Sequence, residues 1–62
     1  MKTQEQIDLE KSILESANKN RELLKDSPRS LQSVLSHLQG YYLGFCRAKY
    51  WNEDLDFLNQ IA

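Results

Sequence analysis

The most regular apolar pattern lies in the second half of the chain. Leu31, Val34, Leu38, Tyr41, Phe45 and Ala48 alternate steps of three and four, the spacing of an a/d heptad seam. Leu35 and Tyr42 broaden that seam. The pattern predicts a helix over about 28–50, which is roughly 33 Å long at 1.5 Å per residue. Upstream, Ile7, Leu14, Ala17 and Leu24 keep a similar mixed spacing, and Leu9, Ile13 and Leu23 widen it along one flank. A stripe that broad suits a helix with more than one neighbour, and it predicts a first helix over about 4–25. Near the end, Leu55, Leu58 and Ile61 share a face with Phe57 beside them, which predicts a short third helix over about 53–61.

Polar residues punctuate these elements. Thr3-Gln4-Glu5-Gln6 fits a capping box: the Thr3 hydroxyl bonds the Gln6 amide and the Gln6 side chain reaches back. Pro28 is the single proline of the chain. It lacks an N–H and pushes Ser27 out of the helical region, so it fits a helix start and breaks an interior. Ser27 is the expected cap of the second helix. So short a connection folds the two long helices into an antiparallel hairpin. Asn52 is the expected cap of the third helix, with Glu53 and Asp54 in its first turn. A helix of this length needs a surface to lie on. The row Ser36, Gly40, Gly44, Ala48 offers one, because small side chains let a backbone approach closely, and a second subunit offers another.

Length narrows the picture to one domain. The chain has 62 residues, of which 40% are hydrophobic. A single core of this size supplies about 3–5 kcal/mol, so a second subunit, a metal or disulfides usually add to it. Cys46 is the only cysteine and His37 the only histidine. That excludes a disulfide within the chain and argues against a metal or cofactor site. Self-association into a dimer or a higher oligomer is the expected route. A lone cysteine and the polar residues after Met1 point to a cytoplasmic protein, and the apolar run Tyr41–Cys46 is too short to span a bilayer. The formal net charge of −1 argues against strong non-specific nucleic-acid binding.

Candidate chemistry is sparse. Ser33 and Ser36 lie near His37, but the second helix carries no Asp or Glu to orient the ring, so no catalytic triad is expected and the chain reads as a non-enzyme. Cys46 lies on the flank of the apolar stripe and reads as a buried, inert thiol. Glu53, Asp54 and Asp56 match no Ca²⁺ loop and are better explained as acids at a helix start.

The surface suggests binding instead. Ser36, Gly40, Leu43 and Gly44 form a candidate protein interface, with Trp51 as its aromatic anchor. Lys19, Arg21, Lys25 and Arg29 gather near the hairpin turn, and Arg47 and Lys49 lie at the other end of the second helix. With Tyr50 and Trp51 these are the residues a nucleic acid would meet.

The capped start Thr3–Gln6, the Ser27-Pro28 turn and the stretch Leu38-Gln39-Gly40-Tyr41-Tyr42-Leu43-Gly44 resemble the small helical-hairpin accessory proteins of temperate, lambda-type bacteriophages. That resemblance implies a non-enzymatic modulator or inhibitor of a host or regulatory protein, in the cytoplasm of a bacterial host. In architecture alone the chain is also similar to Rop, a dimer of hairpins that binds RNA. Such binding needs basic residues along an outer face, and Glu10, Glu15 and Glu22 dilute that face on the first helix. The expectation is an all-α hairpin with a short third helix, dimeric, acting by protein–protein interaction. A nucleic-acid-binding dimer is the alternative.

Overall fold

The computed structural model describes residues 2–62. Three helices follow one another: α1 over Gln4–Leu23, α2 over Pro28–Lys49 and α3 over Leu55–Gln60. The long helices pack antiparallel along an elongated body of 37 × 16 × 16 Å.

Local chemistry sets the ends. Thr3 caps α1, its hydroxyl accepting from the Gln6 N–H at 3.1 Å. The Leu24 N–H returns to the Asn20 carbonyl at 2.8 Å, and the Ser27 N–H to that of Leu24 at 2.9 Å, which closes the turn. Pro28 occupies the first turn of α2 as expected. Ser27 precedes it in a non-helical conformation, but its side chain makes no capping bond; its carbonyl accepts from Leu31 at 3.0 Å. α2 ends at Tyr50, a non-glycine residue at φ 59°. The Trp51 N–H then reaches five residues back to the Cys46 carbonyl at 2.9 Å, a helix-terminating bond of the Schellman kind. α3 begins later than predicted. Asp54, rather than Asn52, is its cap and accepts from the Phe57 N–H at 3.2 Å.

The core is Ile13 and Ala17 of α1, Leu35, Tyr42 and Cys46 of α2, and Phe57 and Ile61 from the α3 segment, with Leu9, Leu14, Leu31, Leu38, Trp51 and Leu58 half-buried around it. This corrects the predicted seam. Leu31 and Leu38 belong to it, but Tyr41 and Ala48 are exposed and Val34 and Phe45 only half-buried. The inward row is turned by one residue, to Leu35, Tyr42 and Cys46. On α1 the inward line is Gln6, Glu10, Ile13 and Ala17, while Ile7 and Leu23 are exposed. Two polar side chains thus take core positions, and their hydrogen-bonding needs select Tyr42 over Tyr41 as the ring that goes inside.

α3 does not lie on the small row of α2. Phe57 packs on Tyr42, with ring centroids 4.7 Å apart. The Arg21 guanidinium donates to the Gln60 carbonyl, and Lys2 bridges Asp54, so α3 follows α1 along one side of the hairpin, beside Ile7 and Leu14. Gly40 and Gly44 stay exposed, and a Cβ built on either meets nothing within 4 Å.

Candidate interaction surface

Two regions carry more structure than packing alone demands. The first is a buried polar cluster at the end of the bundle where the chain enters α1 and leaves α2. The Tyr42 hydroxyl donates to Glu10 Oε2 at 2.6 Å and accepts from the Asp54 N–H at 3.0 Å and Gln6 Nε2 at 3.3 Å. A phenol has one proton and two lone pairs, so this hydroxyl is fully used. Gln6 Nε2 also donates to the Asn52 carbonyl at 2.9 Å and lies 3.3 Å from Glu10 Oε2. Lys2 Nζ bridges Glu10 Oε1 at 2.6 Å and Asp54. Among the described residues no buried side-chain N or O lacks a partner.

The cluster corrects two sequence-based expectations. The Gln6 side chain does not reach back to its cap but turns inward across to the α2–α3 connection. Glu10 is not on an outer face; it is 8% exposed. Burial, and next the Glu10 carboxylate, push the Tyr42 phenol up to about 12. The hydrogen bond from Lys2, helped by the Phe57 amide, holds the Asp54 carboxyl below its ordinary range, and Asp54 and Glu10 in turn hold the Lys2 ammonium above its own. Burial raises the Cys46 thiol above its ordinary value, so the thiolate is disfavoured where it sits. Tyr42, Glu10, Gln6, Asp54 and Lys2 are thus tied to one another in a single network.

The second region lies on the other side of the hairpin from α3. Val34, Tyr41, Phe45 and Ala48 form the outer stripe of α2, flanked by Gly40 and Gly44. The Tyr41 and Phe45 rings meet edge to face with centroids 5.1 Å apart. Tyr41 is 50% exposed. The glycines, these two rings, Ala48 and Lys49 border a shallow groove of about 390 Å³. The neighbouring side of α1 presents Glu5, Ser12 and Lys19 to solvent, with Leu9 and Ser16 half-buried. Sequence periodicity identified these apolar residues but assigned them to the interior.

The expected interface residues are divided by the fold. Gly40 and Gly44 border this groove; Ser36 is exposed farther round α2. Leu43 is half-buried on the side of α2 nearer α3. Trp51 is half-buried against the core, while its neighbour Tyr50 is 96% exposed. The six basic residues fall into two groups. Arg29 and Arg47 lie 18 residues apart on α2, about 27 Å along the helix. Lys19, Lys25, Arg29 and Arg47 are exposed, Lys49 bridges Glu5 at 3.3 Å, and Arg21 is held by the Asn18 side chain and the Gln60 carbonyl. They do not converge on one patch.

Among the described residues no group of three or more His, Cys, Asp or Glu side chains is placed to hold a metal ion, and no helix is long and apolar enough to cross a membrane. His37 is exposed on the outside of α2. No family model, curated protein or solved structure matches this chain.

Proposed function

We propose that this protein is a non-enzymatic interaction module that works by burying the outer stripe of α2 against another polypeptide. The role we attach to it is that of a phage-type modulator or inhibitor of a host or regulatory protein, working as a dimer. The observation that carries the reading is the Tyr41–Phe45 pair standing half-open beside Gly40 and Gly44. A helical aromatic pair next to a glycine floor gives a partner both something to grip and room to come close. Burying aromatic rings is a dominant source of interface energy. Leaving them in water costs stability that a 62-residue chain has little of.

The test compares two tagged baits in bacterial lysate, wild type and Tyr41→Glu, with and without nuclease, by quantitative mass spectrometry. The reading predicts a protein retained by the wild type after nuclease treatment and lost from Tyr41→Glu. Equal recovery on both baits contradicts it. Material that disappears with nuclease and is indifferent to Tyr41 would transfer the function to a nucleic-acid contact by the basic residues.

A further inference from the structure

The uncovered side of the hairpin has a symmetry that names an occupant. On α2 the apolar stripe runs from Val34 to Ala48, and its midpoint is Tyr41. On α1 the same side carries two exposed charges of opposite sign, Glu5, which also bridges Lys49 of its own chain at 3.3 Å, and Lys19, and their midpoint is Ser12. Both spans are 14 residues, about 21 Å of helix. The two midpoints also lie at one level of the bundle. Lys49 meets Glu5 and Tyr42 meets both Glu10 and Gln6, so facing residues of the antiparallel helices have numbers that sum to 48–54, and Ser12 falls within the stretch of α1 opposite Tyr41. An isologous interface requires this arrangement: a surface that superposes on its own complement after a half-turn.

We infer that this side of the hairpin is covered by a second copy of the same chain, with a two-fold axis passing at the level of Tyr41 and Ser12. α2 lies antiparallel on the partner's α2, and α1 on the partner's α1. The half-turn sets each Val34 against an Ala48 of the other copy and brings the two Tyr41 rings together at the axis. It also sets each Glu5 against a Lys19 of the other copy, giving two ion pairs at the rims. No charge of either sign lies along the α2 stripe itself, so nothing has to be desolvated unpaired at the centre. Gly40 and Gly44 have open space around them and leave room for the other copy's rings.

The size of the contact fits. A side of 37 × 16 Å bounds the contact at about 600 Å² per copy, or about 1,200 Å² in total, which reaches the low end for specific protein interfaces only if the whole side is covered. Contact through α2 alone would cover about half of that, so α1 and its charges belong to the interface. Such a dimer is a four-helix bundle in which each helix is antiparallel to its neighbours.

This inference rests on reading the α2 stripe as a binding surface and names the chain that occupies it. The test is sedimentation equilibrium from 1 μM to 1 mM (roughly the range expected for so small an interface) on wild type and, in a Lys49→Ala background that removes the in-chain partner of Glu5, on Lys49→Ala alone, Glu5→Lys, Lys19→Glu and the double exchange Glu5→Lys/Lys19→Glu. The wild type is expected to dimerise. Each single exchange places like charges together at both rims and should weaken dimerisation by about tenfold or more, with the double exchange returning to within about threefold of Lys49→Ala alone. Circular dichroism melts establish that each variant is folded, since all three side chains are exposed. A wild type that stays monomeric throughout overturns the inference, and so does a dimer in which the double exchange restores nothing. Monomeric wild type with a pull-down still sensitive to Tyr41→Glu would overturn the second copy while leaving the interaction module standing. A dimer whose pull-down ignores Tyr41 would do the reverse.

Discussion

Tyr41 and Tyr42 are the same residue type, one peptide apart on one helix, and they live in different environments. Tyr42 is wholly buried, with every hydrogen-bonding site of its hydroxyl filled from α1 and the α2–α3 connection. Tyr41 is half-open to water, and its one aromatic partner is Phe45 of the same helix. A rotation of about 100° along α2 separates a finished core from an unfinished one. On the Tyr42 side, a six-residue helix that could not stand alone closes the hairpin, because Phe57 and Ile61 fill the core and Asp54 joins the polar cluster. Among the described residues no element does the same on the Tyr41 side. The lesson is that the fold uses its small supply of apolar surface on both sides of α2 and covers only one of them itself.

The comparison can be broken at the core side first. Phe57→Ala removes a buried ring packed on Tyr42 and should cost about 3–5 kcal/mol, enough to abolish a cooperative melt in a chain this small, whereas Phe45→Ala should cost about 1 kcal/mol or less in the monomer. Equal losses in thermal unfolding would show that both faces are core. Glu10→Ala is the next largest effect. It strips the acceptor from the Tyr42 hydroxyl and from Lys2 and should destabilise by about 2 kcal/mol in urea titrations, while removal of any exposed carboxylate of α1, such as Glu15→Ala, stays within about 0.5 kcal/mol.

Acid and alkali should act on the Tyr42 side as well. The Asp54 carboxyl is held below its unfolded value, so its contribution is present above the unfolded value and is lost as pH falls through the folded one. The Tyr42 phenol is raised to about 12, so its contribution is complete below the unfolded value of 10.0 and disappears as pH climbs towards 12. Melting temperature against pH is therefore expected to fall at both ends, and Lys2→Met should flatten the acid limb. An acid limb unchanged in Lys2→Met would remove the Lys2–Asp54 bridge from the account. The smallest effect runs the other way. Gly40→Ala and Gly44→Ala each gain helix propensity with open space around the new methyl and helical φ, so each should stabilise the monomer by about 0.5–1 kcal/mol. A loss of stability in either variant would mean that something occupies the groove closely.

Much of the fold was legible in the sequence, because its boundaries rest on local chemistry. Thr3 and Pro28 set helix starts wherever they occur, and the short turn between the long helices leaves an antiparallel hairpin as the simple solution. The facing of α2 was not legible from periodicity. Val34 and Leu35, Tyr41 and Tyr42, and Phe45 and Cys46 are adjacent apolar pairs, so two stripes one residue apart fit the same three-and-four spacing. Polar partners made the choice, since only the Tyr42 hydroxyl reaches Glu10 and Gln6. A signal for this did exist. Gln6 and Glu10 continue the 4–3–4 line of Ile13 and Ala17, which is an odd place for two polar residues unless a third polar group meets them inside. The outer stripe was visible as residues but not as a surface, because its exposure depends on where α3 lies. The sequence offered α3 either the small row of α2 or a second subunit, and the Asp54–Lys2 bridge together with Phe57 draws it to the α1 side of its own hairpin instead.

The most direct test of the contrast between the two tyrosines is to delete one hydroxyl at a time and measure unfolding in urea at a concentration where the chain is monomeric. Tyr42→Phe leaves the Asp54 amide, Gln6 and buried Glu10 short of a partner and is predicted to lose about 2–3 kcal/mol, while Tyr41→Phe is predicted to change stability by less than about 0.5 kcal/mol. Equal effects, or a larger loss from Tyr41→Phe, would contradict the account, because Tyr41 would then be the ring that the core depends on.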